Sequence, residues 1–284
     1  MLDYLFGRLL PRLPVPVRKG AVVLLNRAPG LGFSSKEAWT LVGLGDLART
    51  DNLEFNRFVW ANHLGPARWF EASWRFESGI EPSRKVFFEE LERQLKAIGV
   101  EPQAVRSVLE VGSSLGVNLR YLEEGLFANA ELVGLDIDAD AVRQGSEYLA
   151  GLHSRIRLEH ADMSQLDDVL KDREFDIVLC TGVLMYFPSP AASGVIGAML
   201  RHSRHLVAMS EPWDPMGPSI REDGANCHDL EAIVRQRSAR LVAVQHRPKL
   251  HYGVSHQFVF AQRALPFAIR QPAGRAVSGG RALP

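Results

Sequence analysis

The stretch that decides the fold is VLEVGSSLGVNLRYL, residues 108–122. It opens as an apolar, β-branched run, breaks at Gly112, passes through Gly116 and resumes as a helical pattern near Asn118. That order predicts a strand, a tight turn and a helix. Glycines in such a turn let the backbone take positive φ and approach a ligand closely. In an open parallel sheet, small molecules sit outside the carboxyl ends of the strands, so this turn should face one.

The same alternation continues downstream. The runs SVLEV (107–111), ELVGLD (131–136), IRLEH (156–160), FDIVLCT (175–181), HLVAMSE (205–211), RLVAVQ (240–245) and FVFAQ (258–262) are separated by helical stretches such as 138–151 and 190–203. Strands alternating with helices predict an α/β fold: a Rossmann-like, seven-stranded, mostly parallel sheet with helices on both faces. The continuous apolar run IVLC fits a strand buried on both sides. FVFAQ is expected to be antiparallel, because 246–257 contains Pro248 and Gly253 and does not suit a crossover helix.

Upstream, residues 34–103 read as an N-terminal helical cap. The clearest piece is 84–98, where Phe88, Leu91, Leu95 and Ile98 form one apolar face. Ser83 is the expected N-cap, and Glu92 with Lys96 forms an i,i+4 pair. Residues 55–76 carry seven aromatics, Phe55, Phe58, Trp60, Trp69, Phe70, Trp74 and Phe76. They read either as helices packing on the main domain or as a lid over a flat, apolar substrate, with Trp60, Asn62 and His63 near the site. Three regions result: an arm and cap over 1–103, a cofactor-binding domain over 104–263, and a tail over 264–284 whose composition predicts disorder. The arm has four more basic than acidic residues over 1–33 and reads as mature sequence, since prolines and arginines interrupt its apolar stretch.

Composition narrows the function. With 284 residues and 46% apolar content the chain can bury a full core. Lys+Arg and Asp+Glu are both 33, which disfavours a chain-wide surface for nucleic acid. Two cysteines, Cys180 and Cys227, allow neither a disulfide framework nor a cysteine-only zinc site, and suit a reduced, cytoplasmic setting. No apolar run reaches the roughly 18 residues that a transmembrane helix needs.

Two acids stand where an adenosine-type ligand could use them. Asp136 ends the second strand, 24 residues after Gly112, where an acid can accept both hydroxyls of a ribose; Asp138 is the better helix cap, which leaves Asp136 free. HADM at 160–163 follows the third strand. Asp162 could accept from the exocyclic amine of adenine, with Met163 against the ring. The fourth signal is FDIVLCTGVLMYF, 175–187, a buried strand opening into a loop beyond Gly182.

Together these motifs resemble the class I S-adenosylmethionine-dependent methyltransferases, over about residues 104–262. The resemblance implies S-adenosyl-L-methionine as cofactor, with Glu110, Gly112, Ser114 and Gly116 in the loop around its methionine part. It implies Asp136 and Ile137 at the ribose and ring, Asp162 and Met163 at adenine, and Thr181 and Gly182 bordering the methionine end. Ser114 departs from the family's pattern, which has a glycine there. The implied reaction is in-line displacement from a sulfonium, for which aligning donor and acceptor is the main task.

Rival readings are weaker. A short-chain dehydrogenase needs Tyr-x-x-x-Lys, and no tyrosine here has lysine four residues on; no G-x-x-x-x-G-K-[ST] occurs either. The loop after strand four, Thr181-Gly182-Val183-Leu184, is unlike the Asn/Asp-Pro-Pro-Tyr loop of base-amino methyltransferases, and neither cysteine follows proline. A small-molecule or biosynthetic-intermediate acceptor remains, with no metal and no identified general base. Asn62, His63, Tyr186, Glu211 and His228 are the candidate acceptor-pocket residues, although His228 also reads as a helix cap. A non-catalytic scaffold of the same fold is the alternative.

Overall fold

A strand that is apolar along its whole length must be covered on both faces. All five residues of β1 (Ser107–Val111) and all seven of β4 (Phe175–Thr181) are buried. They form the centre of the sheet in the computed structural model, which describes residues 14–27, 52–62, 80–221, 225–237, 239–251 and 253–263. The expectations for His63, the aromatics at 69–76 and the tail fall outside these residues. The other strands are β2 (Glu131–Asp136), β3 (Arg157–His160), β5 (Ser203–Pro212), the short hairpin pair β6 (Ser219–Ile220) and β7 (Asn226–Cys227), β8 (Arg240–His251) and β9 (Val254–Gln262).

The main sheet has seven strands in the order β3-β2-β1-β4-β5-β9-β8. Neighbours pair in parallel except at β9, which runs antiparallel to both β5 and β8. The antiparallel strand is therefore the one expected. Residues 246–257 are not a loose connection, however. β8 and β9 extend through them into a tight hairpin, with Gly253 at φ 76° in the turn.

Side chains alternate across each strand, so each strand feeds two cores. Leu109, Val133, Val178, Val207 and Val259 face one side, covered by α6 (Leu166–Leu170), α7 (Ser189–Arg201) and α8 (Leu230–Gln236). Val108, Leu132, Ile177, Leu206, Phe258 and Phe260 face the other, covered by α3 (Pro82–Ala97), α4 (Val117–Glu124) and α5 (Ala139–Gly151). In α3, Phe87 packs with ring centroids 5.1 Å from Phe258 and 5.8 Å from Phe260. This helix, which the sequence reading groups with the cap, thus shares the domain core. Its N-cap is Glu81, not Ser83: Glu81 accepts from the Ser83 amide at 3.0 Å, and Pro82 starts the helix where no amide is needed. Asp138 caps α5 as expected.

Among the described residues, two further helices lie before α3: α1 (Val15–Arg27) and α2 (Asn52–Ala61). Lys19 of α1 pairs with Glu54 of α2 at 2.6 Å. The chain order reverses between β1 and β4, which opens a crevice at the carboxyl ends of these strands. No helix among the described residues is long and apolar enough to cross a membrane.

Candidate functional site

The turn after β1 is built from strained backbone tied to β2. Gly112 has φ 78°, and its amide and that of Ser113 both donate to the Leu135 carbonyl, at 2.8 and 3.0 Å. A Cβ on Gly112 would lie 2.3 Å from Val183 Cγ2, so only glycine lets the two loops meet there. Ser114 also has positive φ, 47°, which costs an L-residue something like 1–2 kcal/mol. Its amide donates to Asp136 Oδ2 at 2.7 Å, and that bond helps hold it in place. Gly116, at φ 81°, starts α4.

Asp136 is more committed than its sequence position implies. Oδ1 accepts from the Asp138 amide at 2.9 Å, while Oδ2 holds Ser114. It is therefore a brace of the loop as well as a cavity-wall residue, which corrects the expectation that it stands free. Burial raises its pKa to about 6, opposed by those amide bonds. Each oxygen still has accepting capacity, since a carboxylate offers about four lone-pair sites.

These residues line an open cavity with about 660 Å³ of empty space that includes open solvent. Gly112, Ser114, Asp136, Ile137, Asp162, Met163, Thr181, Gly182 and Tyr186, nine of the sequence-derived residues, meet on its wall. Leu53, Asn56, Arg57 and Trp60 of α2 form the opposite side. Asp162 Oδ1 accepts from the Ser164 amide at 2.9 Å, and Oδ2 forms an ion pair with Arg57.

An adjoining recess, with about 310 Å³ of empty space that includes open solvent, shares Gly112, Ser114 and Thr181 and adds Arg84 and Asn118. Behind it lies Glu110, completely buried and not on the cavity wall. Glu110 Oε1 accepts from Asn118 Nδ2 at 2.6 Å and from Thr181 Oγ1 at 3.4 Å. Glu110 Oε2 and Asn118 Oδ1 are buried acceptors without a hydrogen-bond partner. Burial lifts the Glu110 pKa to about 7, against the pull of Asn118 and Arg84. Arg84 is buried too, which lowers its pKa, while Glu110 and Glu211 act the other way.

Three acceptor-pocket expectations are corrected. Glu211 is fully buried and accepts the amides of Val183, Leu184 and Met185 at 2.9, 3.0 and 3.3 Å, so it builds the loop after β4 instead of lining the pocket. Burial lifts its pKa to about 7. His228 contacts Ser189 Oγ at 3.2 Å and the Leu184 carbonyl at 3.0 Å, and burial lowers its pKa. It does not cap α8, because Asp229 does so through the Ala232 amide. Asn62 donates back to the Phe58 carbonyl at 2.8 Å, within the end of α2, and does not line the cavity. Tyr186 does, with its ring 4.9 Å from that of Trp60.

Sequence reasoning missed Arg84, Asn118 and Arg57. A signal for Arg84 existed: it lies four residues before Phe88 and seven before Leu91, on the apolar face of α3, where a cation needs a partner.

Comparison with known proteins agrees with this architecture. A family model described as a methyltransferase domain matches residues 108–205. The structure is similar to magnesium protoporphyrin IX methyltransferase from Synechocystis PCC 6803 with bound SAM, at 16% identity and a TM-score of 0.55, covering 75% of this chain and 98% of that one. It also resembles the N-methyltransferase NodS from Bradyrhizobium japonicum WM9 in complex with S-adenosyl-L-homocysteine, at 16% identity and a TM-score of 0.50, covering 67% and 91%. A putative sarcosine dimethylglycine methyltransferase from Galdieria sulphuraria matches at 14% identity and a TM-score of 0.50, covering 62% and 84%. No curated protein matches the sequence. Residues 108–205 thus match a methyltransferase domain, and the fold that contains them is similar to the fold of these proteins.

Proposed function

We propose that this chain transfers the methyl group of S-adenosyl-L-methionine to a small-molecule acceptor held between α2 and the turn after β4. The observation that carries the reading is a cavity and an adjoining recess, sharing Gly112, Ser114 and Thr181, that differ in chemistry. At one end Arg84 suits a carboxylate, and the unpartnered acceptor Asn118 Oδ1, with the buried carboxyl of Glu110 behind it, suits an α-ammonium. At the other, Asp136 has accepting capacity for ribose hydroxyls, and Asp162 and Met163 offer an acceptor and a polarizable face to a purine. The residues present therefore fit the amino-acid and nucleoside halves of this cofactor. Two of the similar structures hold SAM or S-adenosylhomocysteine.

When bound, the cofactor supplies an electrophilic methyl on a sulfonium. The protein's part is to bind, to orient and to exclude water. Leu53, Trp60, Tyr186 and Phe187 give the acceptor side an apolar, aromatic wall, which favours a flat or apolar acceptor. Both cysteines are buried thiols, in keeping with a reducing, cytoplasmic setting.

Titration calorimetry with S-adenosylhomocysteine tests the reading. Saturable binding, weakened in Asp136→Ala, supports it, and no saturable binding overturns it. Release of S-adenosylhomocysteine from S-adenosylmethionine in the presence of a panel of small apolar acceptors then establishes turnover. Binding without release would favour a non-catalytic scaffold.

A further inference from the structure

Three contacts draw α2 across the cavity, and they reach opposite rims. On the purine rim, Arg57 forms an ion pair with Asp162 Oδ2. On the rim after β4, Asn56 Nδ2 donates to the Tyr186 carbonyl at 2.8 Å, and the Trp60 ring meets that of Tyr186. Leu53 packs on the domain core between them. The helix therefore does not lean on one wall. It spans the opening, and its cavity-facing residues recur at spacings of three and four, as one helical face does.

The two rims differ in how replaceable the contact is. Asn56 is buried and its partner is a backbone carbonyl within the fold. Arg57 is 39% exposed and its partner is 17% exposed, so this pair can exchange with water. Asp162 Oδ1 is already committed to the Ser164 amide. The Asp162 carboxylate is thus the group that Arg57 shares with whatever donor occupies the purine end.

We propose that Arg57 is a positioning residue that clasps α2 onto Asp162, so that the cofactor enters and leaves only when this helix lifts, and the acceptor wall of Leu53 and Trp60 is complete only when the clasp is shut. The inference rests on the cofactor reading above for its kinetic consequence, but not for the clasp itself. A donor arriving at Asp162 adds to the same carboxylate without removing Arg57, because a carboxylate oxygen accepts more than one hydrogen bond. A bound purine and a closed helix therefore support each other, and the acceptor meets its wall only after the cofactor is in place.

The test has two arms and uses Arg57→Ala and Arg57→Lys in the full chain. Without ligand, hydrogen exchange followed by mass spectrometry should show faster exchange over 53–61 in Arg57→Ala, with Arg57→Lys restoring much of the protection. With S-adenosylhomocysteine as probe, stopped-flow mixing should show both association and dissociation quickened in Arg57→Ala. A partly exposed ion pair supports changes of about two- to fivefold. Unchanged exchange over 53–61 would overturn the clasp. Faster dissociation with unchanged association would make Arg57 a static cofactor contact and overturn the gate. If the unmodified protein fails to bind the probe, the cofactor reading falls, and the exchange arm still decides whether Arg57 holds α2.

Discussion

The two loops that flank the crevice are held by the same device, a buried carboxylate at the end of the neighbouring strand. Asp136, ending β2, accepts the amides of Ser114 and Asp138. Glu211, near the end of β5, accepts the amides of Val183, Leu184 and Met185. The difference is reach. Asp136 accepts amides on both oxygens and still lies on the cavity wall, so it can brace a loop and meet a ligand. Glu211 is fully enclosed, accepts three amides and is not on the cavity wall. An acid at a strand end is thus a binding residue or a building residue according to which backbone amides converge on it.

The largest expected effect is at Glu211. Glu211→Ala leaves three amides without their acceptor and removes one of the two buried carboxylates beside Arg84. Breaking a buried charge arrangement from one side costs about 3–5 kcal/mol, so denaturant unfolding should show a large loss or no folded protein. Glu211→Gln, which keeps an accepting oxygen, should recover part of it. An unchanged midpoint in Glu211→Ala would break the comparison.

Asp136→Ala should combine both losses. Binding of S-adenosylhomocysteine should fall by roughly ten- to a hundredfold, because charge-assisted contacts to ribose hydroxyls are worth about 1.5–3 kcal/mol. Stability without ligand should also fall, by roughly 1–3 kcal/mol, since Ser114 and Asp138 lose their acceptor. Calorimetry and unfolding on the same samples separate the two. A binding defect with unchanged stability would mean that the brace contributes nothing.

The pH dependence sharpens the contrast further. Asp136, Glu110 and Glu211 all have folded pKa values above their ordinary ones, at about 6, 7 and 7. A raised carboxylate favours the folded state in its protonated form. Its contribution is full below the ordinary value and is lost as pH rises through the folded one. Stability without ligand should therefore decline between about pH 4 and 7, and Asp136→Asn should flatten the lower part of that decline. Cofactor binding should run the opposite way, because an ionised Glu110 behind the recess favours an ammonium in it. S-adenosylhomocysteine affinity should weaken below pH 7, by up to about tenfold per pH unit, and Glu110→Gln should remove that slope. Calorimetry in buffers of different ionisation enthalpy would detect the released proton.

The smallest effect is at Ser114. Its φ of 47° suits glycine better, so Ser114→Gly should stabilise the domain by about 0.5–1 kcal/mol once glycine's greater chain entropy is set against the relief of strain. Thermal unfolding would measure it. A loss of stability would show that the serine side chain does more in the loop than its backbone does.

Sequence alone determined the sheet. Whole-strand burial, alternation and turn glycines are local signals, and 107–111, 131–136 and 175–181 fall where β1, β2 and β4 lie. It also placed the residues that chain order forces onto the crevice, from Gly112 to Gly182, because in a parallel sheet every strand delivers its carboxyl end to the same side. It could not assign Glu211 or His228, whose roles depend on amides and carbonyls more than 25 residues away. Nor could it bring Arg84 and Asn118 into one recess in front of Glu110, or set Arg57 against Asp162 across 105 positions. Those pairings join residues from different elements. Only the packing of helices on the sheet decides which buried charge meets which partner.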